Sequence, residues 1–414
     1  MEFGSIIRYY RLKLGMTQSD LAEDICSTSH LSKLENGSYE VNRETLILLL
    51  ERLKIDLNTE SRKIKEIKDA INQFIDALYH VDKEEISKGF SKLKVLEDYC
   101  LNTDLINIFQ LSMFKYYIYS LDFEKAKEMQ KVIDKLSHNF NKHETFIYIT
   151  AQSSLLTQQN YPNEALKLLK SYSFKDELDL NQGEYYYQLA LCYSILDNAN
   201  ISIIYCQKAN LFFQEQFNFI KIIYNQMTLA INYVRIELFE EAKITYIKIL
   251  RNSKMLGRHD LYIQNLYNYA LLLKHKKEYQ KALEYFRYCA NNFPKGSENL
   301  ILCLLNLIDL MIILKKDKNM ILATIKEVKM HSFDKKYKIY DLLAQKFKYE
   351  LMKPNERYYK FLEERLLPNL LVNNKYSLAA ETTLELSQYY EKSDIWKSNE
   401  LLKKYFSIRE EHKI

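Results

Sequence analysis

The sequence predicts an all-α chain in which a small N-terminal unit of short helices is followed by a long right-handed α-solenoid of helix pairs. Three observations carry this. Only 7 Gly and 4 Pro occur in 414 residues, several-fold fewer than ordinary usage of about 7% and about 5%. Sheets and irregular loops need those residues, and stacked helices do not. In the first 55 positions, apolar residues recur at helical spacing between capping residues and glycine stops. From residue 123 onward a short phrase returns roughly every 40 residues.

Phe3 to Leu14 is the first predicted helix, because Ile6, Ile7, Tyr10 and Leu14 share a face and Gly15 follows where a left-handed residue ends helices. Thr17 caps the second, with Asp20 as an acidic capping-box partner three residues on. Leu21, Ala22 and Ile25 form its inner face, and the small Ala22 lets the next helix cross closely. Ser27 caps a third helix, Thr28 to Asn36, with Leu31 and Leu34 inward and Gly37 at its end. A fourth, about Arg43 to Leu53, places Leu46, Leu49, Leu50 and Leu53 beneath the others. Two short helices joined by a tight turn over residues 15–37 are how a protein presents one helix to the DNA major groove.

Thr17-Gln18-Ser19-Asp20-Leu21-Ala22 and Ser32-Lys33-Leu34-Glu35-Asn36-Gly37 resemble the Thr-Gln-x-x-Leu-Ala and Ser-x-x-Glu-x-Gly hallmarks of the Xre/lambda-repressor helix-turn-helix family. Two features depart from it. The turn is one residue short, with Cys26 where glycine is common, and Val41 stands where proline often precedes the fourth helix. The short Ile25-Cys26 turn is similar to the heads of Plc-type peptide-sensing regulators. By position, the resemblance implies Gln18 at a phosphate, Thr28, Ser29, Ser32 and Lys33 towards base edges, and Asn36 and Arg43 at the DNA backbone. Hydroxyls serve any base, and a lysine suits the N7 and O6 acceptors of guanine.

Charge sets a condition on that role. Residues 1–60 hold seven Lys or Arg against ten Asp or Glu, a net of −3. The counter-ion release that dominates non-specific DNA affinity is therefore weak. Two heads on a homodimer, reading half-sites of a palindrome about 34 Å apart, are expected to be needed. The remainder carries the balance of the +5 total, about +8, too little for its size to mark a polyanion-binding body.

Composition excludes other classes. The six cysteines, at 26, 100, 192, 206, 289 and 303, form no Cys-x-x-Cys pair and are expected as small apolar residues in a reducing compartment. The eight histidines are dispersed, so neither a metal nor a cofactor is expected. The N-terminus shows neither a basic leader nor an apolar run, and the most apolar stretch, Leu300 to Leu314, contains Asn306 and Asp309 and is too short to span a bilayer. A soluble cytoplasmic protein without membrane contact is expected. There is no glycine-rich phosphate loop, nucleophile elbow or clustered triad, so it is not read as an enzyme.

Between Lys54 and Ala70 the chain is charged but not Gly/Ser-rich, which predicts a helical connector. The domain reading is a head at 1–57, a connector at 58–72 and a repeat body at 73–414. In the body, Phe123-Glu124-Lys125-Ala126, Tyr161-Pro162-Asn163-Glu164-Ala165, Phe239-Glu240-Glu241-Ala242 and Tyr279-Gln280-Lys281-Ala282 each open a helix, with a degenerate copy centred on Ser202. Ala190, Ala230 and Ala270 precede the last three anchors by 12 residues. This pattern of small residues where two helices touch resembles the tetratricopeptide repeat, with Phe286 and Pro294 also in family positions in the copy at Ile263 to Glu298. Seven to nine pairs are expected, the last near Leu378 to Ile408. By family position the concave face holds Glu184, Tyr187 and Gln188; Tyr224, Thr228, Asn232 and Arg235; and Gln264, Tyr267, Asn268 and Lys274. Amides there can pair with a peptide backbone, and Arg235 or Lys274 can take a carboxylate.

Over the whole chain, head plus body resembles the peptide-sensing quorum regulators of Gram-positive bacteria, the Rgg/Rap/Npr/Plc/Prg group. The resemblance implies a cytoplasmic homodimeric transcription factor on a palindromic double-stranded operator, controlled by a short signalling peptide on the concave face. Such a peptide must favour one arrangement of the dimer over another. The body length, nearer the Npr-type members, leaves open a second role, capture of a response-regulator protein. Phosphatase members use a catalytic glutamine on an N-terminal bundle, and Gln73 and Gln110 lie in that region without a motif singling out either. A regulator whose body senses a protein partner is the third reading.

Overall fold

The computed structural model describes residues 3–38, 42–172, 182–333, 337–352 and 354–412, and among these every regular element is helical. Val41 lies outside the described residues. The chain forms two compact units, residues 1–222 and 223–414.

The first unit opens with α1 (Gly4–Lys13), α2 (Gln18–Ala22), α3 (Thr28–Glu35) and α4 (Arg43–Arg52). The expected punctuation sets their ends. The Asp20 N–H donates to Thr17 Oγ1 at 3.2 Å and the Thr17 N–H to Asp20 Oδ2 at 2.8 Å, closing the capping box. Ser27 Oγ accepts from the His30 N–H at 3.2 Å, and Gly15 and Gly37 adopt φ of +68° and +69°. Ile6, Ile7, Leu21, Ala22, Leu31, Leu34, Leu49, Leu50 and Leu53 form one core, with Ile25 and Leu46 half-buried against it. Leu14 departs from expectation. It is 56% exposed, because the chain has left α1 and turns away through Gly15, and Tyr9 is buried on the helix instead.

Residues 58–72 lie within a single 24-residue helix, α5 (Leu57–His80). Its second half buries Ile67, Ala70, Ile71, Phe74, Ala77 and Leu78 among the paired helices. Next come α6 (Lys83–Val95), α7 (Glu97–Leu101), α8 (Ile106–Tyr119), α9 (Phe123–Leu136), α10 (Lys142–Gln158), α11 (Pro162–Ser171), α12 (Gln182–Ile195) and α13 (Ala199–Glu215). The boundary between units falls within α14 (Phe219–Arg235). The second unit continues with α15 (Phe239–Met255), α16 (His259–His275), α17 (Tyr279–Asn292), α18 (Glu298–Ile313), α19 (Lys318–His331) and α20 (Lys338–Leu351). It closes with α21 (Glu356–Phe361), a π-helical turn, α22 (Leu367–Val372), α23 (Tyr376–Tyr390) and α24 (Ile395–His412).

The small anchors sit where the pairs cross. Ala126, Ala165, Ser202, Ala242 and Ala282 are each 0% exposed, as are Ala190, Ala230 and Ala270. A serine is tolerated in the degenerate copy because Ser202 Oγ donates to the Ala190 carbonyl at 2.7 Å across the α12–α13 contact. Five of the six cysteines are buried, and Cys26 is half-buried.

The scarcity of glycine does not mean a scarcity of left-handed turns. Leu121, Asn160, Asp197, Glu237 and Lys277 have φ between +58° and +66°, each two residues before a second helix begins. Phe217 has φ +54°, and Gly257, 40 residues later, has φ +64°. Side chains are strained in this region, and Phe217 is 74% exposed, so its ring returns little burial. Phe217→Gly is expected to stabilise the first unit by about 1 kcal/mol, read as a higher urea midpoint. An unchanged or lower midpoint would show that the ring contributes more than the strain removes.

Candidate functional site

In the head, α3 divides by face. Leu31, Leu34 and Glu35 are buried, while Thr28, Ser29, Lys33 and Asn36 are exposed and Ser32 is half-buried. Arg43, at the start of α4, is also exposed. The predicted DNA-facing groups on α3 therefore share an outward surface. Gln18 differs: its Nε2 donates inward to Glu35 Oε2 at 2.8 Å.

What holds α3 in place was not read from the sequence. Arg11 on α1 is 7% exposed and Glu35 6%. Arg11 Nε donates to Glu35 Oε1 at 2.6 Å, Nη2 to Oε2 at 2.8 Å, and Nη1 to the Met16 carbonyl at 2.9 Å. Arg52 Nη1 donates to the Leu21 carbonyl at 3.3 Å and also reaches the Glu23 carbonyl, closing the end of α2. Gly4 lies so close to α3 that a Cβ there would sit 2.0 Å from the Leu34 carbonyl oxygen. One signal was available. Glu35 shares the helical face of Leu31 and Leu34, so a charge in that position needs a buried partner.

The head is also tied to the bundle behind it. Glu60 on α5, 4% exposed, accepts from the Tyr10 hydroxyl at 3.0 Å and from the Tyr99 hydroxyl at 2.6 Å. Lys63 donates to the Tyr10 oxygen at 2.7 Å and stands 3.9 Å from the Tyr99 ring centre. Tyr9 donates to Asp98 Oδ2 at 3.0 Å and packs edge-on to Tyr99. Burial and the neighbouring Glu60 raise the Tyr10 and Tyr99 phenols above their ordinary range, so both remain donors at neutral pH.

In the second unit, a cavity of about 510 Å³ brings Arg235, Asn268 and Lys274 together over an apolar floor that includes Ile231, Val234, Leu271 and Tyr246. Arg235 is exposed and Asn268 half-buried. Lys274 already has a carboxylate: its Nζ lies 2.6 Å from Asp309 Oδ2 and 2.9 Å from Asn306 Oδ1. Gln264 Oε1 accepts from Asn299 at 2.9 Å, and Tyr224 is half-buried.

Other residues expected on an open wall are instead packed into the helix layer. Thr228, Asn232 and Tyr267 are 5%, 0% and 8% exposed. Asn232 Nδ2 donates to the Thr228 carbonyl one turn back at 2.8 Å, and the Tyr267 hydroxyl accepts from Asn306 at 3.3 Å. Close helix contacts leave these side chains no solvent face, so neighbouring groups satisfy them. In the first unit, Gln188 is 2% exposed and donates to Glu184 Oε1 at 3.0 Å, while Tyr187 is half-buried beside Phe213. Gln73 is exposed on α5 and Gln110 half-buried on α8.

Residues 7–59 match the Helix-turn-helix family. With the helix pairs that follow, the chain joins a helix-turn-helix domain to an α-helical repeat body. The chain is 24% identical over 415 residues to the transcriptional activator NprA of Geobacillus stearothermophilus, spanning 91% of this chain and 95% of that one. Among solved structures, it resembles the apo form of the quorum sensor NprR from B. thuringiensis, with a TM-score of 0.68, 19% identity and coverage of 83% and 99%. Against NprR in complex with its cognate peptide NprX, the TM-score is 0.65 at 19% identity, with coverage of 83% and 98%. The chain is thus similar in sequence to NprA and in fold to NprR. No helix among the described residues is long and apolar enough to cross a membrane.

Proposed function

We propose that this protein is a cytoplasmic quorum-sensing transcription regulator that binds a palindromic operator as a homodimer and is controlled by a short signalling peptide held by the repeat body. The observation that carries the reading is the outward polar face of α3, on a head matching the helix-turn-helix family, joined to a body similar in fold to NprR in its peptide complex. Thr28, Ser29, Ser32 and Lys33 are the proposed base-reading groups, and Asn36 and Arg43 the phosphate contacts. Gln18 acts mainly by steadying Glu35, with its side-chain oxygen left for the DNA side. Asn268 and Arg235 are the proposed peptide contacts in the second unit, and Lys274 keeps the wall charge-matched.

The test is operator binding by a Ser29→Ala/Lys33→Ala variant. Both positions are exposed, so helical content and oligomeric state should hold. Losing a base-edge contact typically costs about 1–3 kcal/mol, so specific affinity is expected to fall at least about tenfold. An operator affinity equal to the parent's would remove α3 as the reading helix.

A further inference from the structure

We infer that the cleft between α5, α8, α10 and α12 receives a carboxylate of the bound peptide, with Lys115 as its counter-ion. The inference rests on the peptide reading above and locates one contact that neither the sequence pattern nor the second-unit cavity supplies.

The cleft is a cavity of about 300 Å³ lined by residues that include Asp76, Tyr79, Lys115, His143, Thr150 and Glu184. Lys115, half-buried on α8, points into it. No described carboxylate oxygen lies within the 4.0 Å ion-pair distance of its ammonium. The carboxylate that Lys115 senses most strongly, Glu184, is already held by Lys221 at 2.6 Å and by Gln188 at 3.0 Å. The Asp76 side chain is 71% exposed, so water screens it. The Thr150 hydroxyl is occupied by the Phe146 carbonyl at 2.9 Å, and the Tyr79 hydroxyl donates to Gln216. Among the described residues, Lys115 is therefore the cleft's cation without a dedicated acceptor.

The consequence is electrostatic. Burial lowers the Lys115 pKa, Glu184 raises it and Lys221 lowers it further, so its charged form is poorly compensated as it stands. An ammonium with few acceptors in a partly dehydrated cleft gains more from an incoming carboxylate than one already paired. Lys274 is the internal comparison. It also borders a cavity, but Asp309 neutralises it at 2.6 Å, so a ligand acid would have to displace an existing partner. The charge arrangement assigns the acidic group of a ligand to Lys115.

Three synthetic heptapeptide pools test this against the immobilised full-length protein, with retained peptides quantified by mass spectrometry. One pool has free C-termini and no Asp or Glu, one is amidated with Asp and Glu included, and one is amidated without Asp or Glu. Retention of either acid-bearing pool is expected to exceed the acid-free pool by about tenfold. Lys115→Met should abolish that preference and Lys115→Arg should keep it, each with the parent's thermal transition. The first two pools distinguish a C-terminal carboxylate from a side-chain one. Competition by millimolar acetate would mean that a free small carboxylate suffices and would overturn the peptide assignment. Equal retention of acid-bearing and acid-free pools, or an unaltered preference in Lys115→Met, would overturn the site. Retention of no pool by the parent would instead remove the peptide reading itself.

Discussion

Glu35→Ala is expected to unfold the helix-turn-helix head while the main thermal transition of the helix pairs stays in place. The substitution leaves the Arg11 guanidinium, 7% exposed, facing no carboxylate, and frees the Gln18 amide as well. Removing one partner of a buried ion pair typically costs about 3–5 kcal/mol. That is a large share of the roughly 3–8 kcal/mol expected of a whole domain of about 55 residues, at about 0.05–0.15 kcal/mol per residue. A new low-temperature transition in circular dichroism should appear, and operator binding should vanish. Arg11→Met/Glu35→Leu is the control, because replacing both charges with apolar groups of similar size removes the uncompensated ion and should restore most of the loss. A single Glu35→Ala variant that melts and binds DNA like the parent would show that the pair contributes little.

The second large effect is expected at Glu60. Glu60→Leu leaves the Tyr10 and Tyr99 hydroxyls without their acceptor and Lys63 without its 3.5 Å ion pair. Each buried donor left unsatisfied is worth about 1–3 kcal/mol, so the contact between head and bundle should weaken by about 2–4 kcal/mol. Amide exchange of α1 should then accelerate by at least tenfold, with the α8–α13 core unaffected. If the protein acts as a dimer, operator affinity should also fall, since two heads free of the bundle lose the fixed spacing that makes the second half-site engagement intramolecular. Tyr99→Phe, which removes one donor and keeps the ring beside Tyr9, should show a smaller change in the same direction. Unaltered exchange across α1 in Glu60→Leu would mean that apolar packing alone docks the head.

These two sites show where sequence reading ran out. The capping box at Thr17 and Asp20, the Ser27 cap, the glycine stops and the buried alanine anchors were all legible, because each depends on residues within a turn or on a helix-crossing period. The left-handed turns at Leu121, Glu237 and Lys277 were not, since those residue types carry no turn signal and only the helices on either side enforce the geometry. Among the concave-face residues, the sequence placed Arg235, Asn268 and Lys274 on one surface, and the structure gives them a common cavity. It could not tell that Thr228, Asn232 and Tyr267 are buried, because a polar residue on a helix face looks the same whether water or a neighbouring helix covers it.

The sequence by itself determined the helical class, most helix ends in the head, the pair-crossing anchors and the polar face of α3. All of these follow from the 3.6-residue period and from local hydrogen-bond chemistry. Tertiary structure alone decided which charges have partners. Arg11 meets Glu35 across 24 residues, Tyr99 meets Glu60 across 39, Lys274 is neutralised by Asp309, and Lys115 is left facing a cleft. Ion pairing depends on distance and burial, and the chain sets neither until distant helices pack.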